Sequence, residues 1–125
     1  VEFSNAMLNN PGDAVGYRVS YKGHHAAYVS DTEHFPGRLD DNVLALAKDA
    51  DVMIYDSTYT DDEYYDENNS KIGWGHSTWQ EAVKLAKAAN VKQLIIFHHA
   101  PGHTDDFMDD IARQTSAALP GTIVA

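Results

Sequence analysis

The sequence predicts an α/β fold built on a largely parallel sheet, and three observations carry that prediction. Short apolar runs at 26–30 (AAYVS), 52–55 (VMIY) and 94–97 (LIIF) have the length of strands. Helix-period stretches separate them, the alternation that builds βαβ units. Each run also stops at a titratable residue: Asp31, Asp56, and His98 with His99 beside it. The run 94–97 is continuous enough to read as a strand covered on both faces. Open α/β sheets place ligands beyond the carboxyl ends of their strands. Aspartates after strands also serve as turn or cap residues, and any one of the three alone would read as structural. Their convergence, with His76, defines a candidate site.

At 125 residues, with 43% hydrophobic content, the chain has the length of one domain with its own core. Nine basic against nineteen acidic residues give a net charge of −10. The lysines and arginines are scattered singly, without the stripe that grips a polyanion, so the chain alone is expected to bind nucleic acid poorly. With no cysteine, disulfides and thiolate metal sites are excluded. No apolar run reaches the roughly 18 residues of a membrane span and no signal peptide opens the chain; the default expectation is a cytoplasmic location.

Residues 1–10 show no firm period, and 9–13 (NNPGD) form a turn cluster. Val15, Tyr17, Val19 and Tyr21 alternate along a strand, and Lys22-Gly23 turns it into a hairpin partner starting at His24. His24 and His25 lie at the end of that partner away from Asp31 and read as surface histidines. Residues 31–37 are a polar loop. Asp40 and Asp41 cap a short helix over 42–49, with Val43, Leu44 and Ala47 on its apolar side. The stretch 58–70 (TYTDDEYYDENNS) is acidic, aromatic and aperiodic, a long surface loop or lid with at most one helical turn. Its carboxylate spacing matches no EF-hand loop. Gly73 and Gly75 loosen the backbone that delivers His76 to the start of a helix, where Ser77 and Gln80 form a capping box. Such a helix start favours anions, although His76 reads equally well there as an imidazole simply bonded in its loop. Ala82, Val83, Leu85, Ala86 and Ala89 supply the buried stripe. A last helix from about Asp105, capped by Thr104, turns Phe107, Ile111 and Leu119 toward the core. The chain opens on Val1 rather than methionine and closes on TIVA, so it reads as part of something longer. The predicted order is β-β-α-β-lid-α-β-α-β.

Five short motifs in this order (GYRV, SDT at Asp31, YDST at Asp56, GHST at His76 and IIFH at His98) resemble the carboxyl-terminal half of metallo-β-lactamase-fold hydrolases. The similarity is greatest to the branch of ribonuclease Z and related phosphodiesterases. The resemblance implies that residues 1–125 are one half of a four-layer αβ/βα sandwich: a mixed sheet with helices on one face. It implies Asp31 as a carboxylate bridging two divalent metal ions, zinc before manganese or iron, and His98 as a terminal ligand to one of them. His76 takes the place of a histidine that contacts the scissile phosphate and helps protonate the leaving group. Asp56 stands where ribonuclease Z carries a glutamate that orients this histidine. His34, His99 and His103 are candidates to support the ligands from behind.

Two departures qualify the resemblance. The family's His-x-His-x-Asp-His motif is absent from this chain, which assigns those ligands to an amino-terminal half. Asn10 occupies a position where relatives carry another ligand histidine, and an amide is a weak zinc ligand. The expected function is therefore a metal-dependent, phosphodiesterase-like hydrolase of a small substrate, inactive without its amino-terminal half. A non-catalytic domain that has lost its metals, and a hydrolase of a thioester, lactone or other non-phosphate ester, are the rival readings. The exposed sheet face is expected to be covered by the amino-terminal half or by a homodimer partner.

Overall fold

The computed structural model describes residues 1–125. Six strands form one sheet in chain order: β1 (Glu2–Leu8), β2 (Ala14–Tyr21), β3 (His24–Val29), β4 (Val52–Asp56), β5 (Gln93–Phe97) and β6 (Ile123–Val124). The first three pair antiparallel, and β3 through β6 pair parallel. The turn between β2 and β3 is a two-residue one in which Lys22 and Gly23 both take positive φ, 49° and 78°. That is the hairpin geometry whose twist matches its strands.

Helices α1 (Asp41–Ala47), α2 (Asp61–Tyr64), α3 (Trp79–Ala88) and α4 (Asp105–Ala118) lie in the parallel crossovers. Successive parallel strands advance across the sheet in one direction without reversing. Right-handed crossovers that never reverse direction place their helices on one face, as expected from the sequence. The core between helices and sheet joins Ala27, Val29, Met53, Tyr55, Leu94 and Ile96 to Val43, Leu85 and Ile111. Gly16 lets β2 approach α1, because a Cβ there would sit 2.9 Å from the side chains of both Leu46 and Leu8. Arg18 reaches over from β2 to donate to the carbonyls of Leu46 and Lys48 at 2.6 and 2.9 Å, supplying a cation where the α1 carbonyls lack partners.

The opposite face carries no helix. Its alternating residues line up as a row through the sheet, Tyr17–Tyr28–Ile54–Ile95–Ile123. Tyr17, Tyr28 and Ile123 stand 45%, 42% and 46% exposed, and Phe3 of β1 71%. The run 94–97 is thus covered by this chain on one face only.

Several local expectations need correction. Residues 2–8 are a full strand, fixed by antiparallel pairing with β2 rather than by any period of their own. The cap of α3 is Thr78, which accepts from the Glu81 amide at 3.2 Å; Ser77 is drawn into buried side-chain bonds instead. The lid carries its single helical turn as α2, but it is not wholly a surface loop, since Tyr64 is fully buried. Phe107 does not enter the core; it is 38% exposed and stacks on His103 with ring centroids 4.5 Å apart. His25 is half-buried against Ser20 rather than free at the surface.

Candidate metal centre

The parallel strands deliver their ends to one edge. Asp56 is the last residue of β4, His98 follows β5 directly, and Asp31 lies two residues beyond β3. His76 enters from the loop before α3. Ligand atoms of Asp31, Asp56, His76 and His98 lie within 4.8 Å of one another. The four residues singled out from the sequence are brought together.

Hydrogen bonding separates their roles. Asp56 is fully buried, and five donors surround its carboxylate. Oδ1 accepts from the Thr58 hydroxyl at 2.7 Å, the Thr58 amide at 3.1 Å and the Ser77 amide at 3.5 Å. Oδ2 accepts from the His76 Nδ1 at 2.8 Å and the Thr32 amide at 3.2 Å. A buried carboxylate so fully satisfied anchors its neighbours and has no lone pair turned to a ligand. Asp31 is the opposite case: no hydrogen bond reaches its half-exposed carboxylate, and Oδ1 faces His98 Nε2 at 3.6 Å. Two ligand atoms that converge without bonding each other, ringed by no protein donor, suit a shared cation.

The bond from Asp56 raises the His76 pKa above its ordinary value, against burial, which lowers it. His76 thus holds a proton on Nδ1 toward Asp56, and its Nε2 has no partner in the protein. Its ring lies 5.0 Å from that of His98.

The other candidates are placed differently. Both nitrogens of buried His34 are engaged, Nδ1 with Ser77 Oγ at 3.0 Å and Nε2 with Tyr65 Oη at 3.2 Å, and burial lowers its pKa. Ser77 Oγ also accepts from Tyr55 Oη at 3.1 Å. His103 pairs with Glu63 of the lid at 2.9 Å. His99 is set behind the edge with both ring nitrogens shielded and unpartnered, and burial lowers its pKa. None of the three joins the cluster. The Asn10 amide donates to the Gly75 carbonyl at 3.2 Å and accepts from the Gly12 amide at 2.8 Å, so it ties two loops together.

Sequence reading missed Glu33. This buried carboxylate accepts from the Tyr64 hydroxyl, from the Gly73 amide at 2.7 Å and from the Gly75 amide at 2.9 Å. It fastens the Asp31 loop to the loop that carries His76. The one available signal was the Gly-Trp-Gly spacing, which frees two amides to face an anion. Gly75 has φ +89°, and a Cβ there would lie 2.9 Å from both Asn10 Nδ2 and Pro11 Cδ. Gly75→Ala is accordingly expected to cost about 1–3 kcal/mol of stability. Denaturant unfolding checks this; a variant as stable as the wild type would show that the loop is not pinned here.

A mixed sheet with helices on one face, and two carboxylates and two imidazoles gathered at its parallel strand ends, defines an α/β domain whose sheet edge could hold a metal ion. The sequence matches the beta-lactamase superfamily domain over residues 3–99, and the chain belongs to that superfamily. Within it, similarity runs to ribonuclease Z: 37% identity over 87 residues with that of Brevibacillus brevis, covering 66% of this chain and 26% of the relative. Ribonuclease Z of Methanosarcina mazei is 34% identical over 125 residues, covering 97% of this chain and 36% of the relative. The chain therefore spans about a quarter to a third of the length of the curated relatives it matches. The fold agrees with the metallo-beta-lactamase fold protein YhfI from Bacillus subtilis, at a TM-score of 0.76 and 18% identity over 98% of this chain and 46% of that one. Human tRNase Z, short form, aligns at 0.65 and 21% identity over 98% of this chain and 39% of that one. No helix is long and apolar enough to cross a membrane.

Proposed function

We propose that this chain supplies the carboxyl-terminal half of the active site of a metal-dependent, phosphodiesterase-like hydrolase. The observation that carries the reading is the pairing of an unbonded Asp31–His98 ligand pair with the His76–Asp56 couple at one sheet edge. Asp31 and His98 would hold divalent ions, zinc foremost, completed by ligands from an amino-terminal half that packs on the open sheet face. Bound divalent ions supply an activated water and charge stabilisation on the group being transferred. The residues of this chain do the rest. Asp56 orients His76, holds its proton on Nδ1 and raises its pKa, which favours the protonated imidazole that donates to the leaving oxygen. Glu33 and Ser77 fix the loop that presents it. The net charge of −10 and the carboxylates of the lid favour a small substrate over a polyanion such as tRNA.

A second reading, a domain that keeps the fold without metals, draws on Asn10, whose side-chain amide bonds to backbone through both its nitrogen and its oxygen. The deciding experiment is hydrolysis of bis(p-nitrophenyl) phosphate by the chain combined with its amino-terminal half and zinc. Metal-dependent release of nitrophenol is expected. Release from a thioester or lactone substrate instead would move the reaction to another ester class. Failure to take up metal would support the non-catalytic reading.

A further inference from the structure

The Thr58 hydroxyl that donates to Asp56 also lies against a second residue of the site. Oγ1 is 2.7 Å from Asp56 Oδ1 and 3.0 Å from His98 Nδ1. A hydroxyl has one proton to give. Asp56 is an acceptor only, and at 2.7 Å in a buried setting two oxygens without a proton between them repel, so the Thr58 proton lies toward Asp56. The Thr58 oxygen is then an acceptor toward His98, and the shared atom on the other side must be a donor. We infer that Thr58 is a positioning residue that fixes the tautomer of His98: Nδ1 carries the proton, and Nε2, on the Asp31 side, carries the lone pair. Asp56 thereby sets both imidazoles of the site, His76 directly and His98 through Thr58.

The backbone around His98 agrees with a residue held in place by the β4 exit. His98 adopts a left-handed φ of 65°, which is unfavourable for a residue with a Cβ and persists where the surroundings over-determine it. The Ser57 amide donates to the Phe97 carbonyl at 2.9 Å, and the Ala100 amide donates to the Thr58 carbonyl at 3.1 Å. Ser57 and Thr58 thus clamp the chain on both sides of the imidazole whose ring Thr58 also orients. Without the hydroxyl, neither the ring orientation nor the tautomer is imposed, and His98 is free to turn a protonated nitrogen toward Asp31.

The consequence for metal rests on the proposed function, whereas the tautomer itself does not. The experiment is a long-range proton–nitrogen correlation spectrum of the metal-free protein, in whichever assembly it is stable, at about pH 8.5, roughly two units above the ordinary imidazole value. His98 is expected to show a protonated Nδ1 and a bare Nε2. Thr58→Val, equal in shape, is expected to populate the Nε2-protonated form and to weaken zinc binding by about tenfold, the scale on which supporting partners of metal-bound histidines act. Thr58→Ser is expected to restore both. A wild-type His98 protonated on Nε2, or a folded Thr58→Val protein with an unchanged tautomer, would overturn the relay. If Thr58→Val does not fold, the wild-type spectrum and Thr58→Ser still decide. A shifted tautomer with unchanged zinc affinity would instead overturn His98 as a ligand and leave the relay standing.

Discussion

Replacing His76 with alanine in the complete enzyme is expected to lower turnover on a model phosphodiester by roughly 100-fold or more, with metal content intact, the scale of a lost general acid. The geometry sets both halves of that expectation. His76 Nδ1 is committed to Asp56 at 2.8 Å, and Nε2 is the nitrogen left to meet a leaving group. Neither Asp31 nor His98 hydrogen-bonds to the His76 ring, which lies beside that of His98 with centroids 5.0 Å apart. Because Asp56 raises the His76 pKa, the acid stays protonated to a higher pH than a free histidine, and turnover falls as pH climbs through that raised value. Asp56→Asn removes the charge and brings the fall to lower pH. If His76→Ala strips metal, His76 is a ligand and the division of roles is wrong.

The second large effect concerns assembly. The chain by itself is expected not to persist as a stable, compact monomer, and to be found paired with its amino-terminal half or with a second copy across the open sheet face. The row Tyr17–Tyr28–Ile54–Ile95–Ile123 belongs to a sheet that the helices cover on one face only. Each such side chain forgoes up to about 1.5–3 kcal/mol when left in water, against a typical net stability of about 5–15 kcal/mol. Sandwiches close their cores by stacking a second sheet on such a face. Sedimentation at micromolar concentration checks this. A cooperatively melting monomer without partner would mean that these residues close their own core.

What was legible in the sequence followed from local rules, and what was not followed from distant contacts. Asp56 and His98 could be read because an apolar run has a visible end, and parallel pairing carries those ends to one edge. The stretch EFSNAML could not be read as a strand, because most of it is exposed in this chain and it shows no alternation. Its pairing is a property of the β1–β2 hairpin. Ser77 and Thr78 are adjacent hydroxyls at a helix start, and either would cap α3. Ser77 loses that role because His34 and Tyr55, 43 and 22 residues away, claim its oxygen in the interior. Glu33 was invisible for the same reason: its partners lie 31 to 42 residues downstream. Thr58 was read as the first residue of the lid, although its hydroxyl joins the ends of two neighbouring strands.

On this reading the chain holds part of a metal site and not the whole of it. Elemental analysis after dialysis tests that most directly, comparing the chain alone, the chain with its amino-terminal half, and the same assembly carrying Asp31→Ala. The expected result is less than stoichiometric zinc or manganese on the chain alone, about two ions in the assembly, and their loss with Asp31→Ala. Two tightly held ions on the isolated chain would contradict this and require His34 or His103 to leave its present partners, or the shielded His99 ring to turn outward, and bind metal.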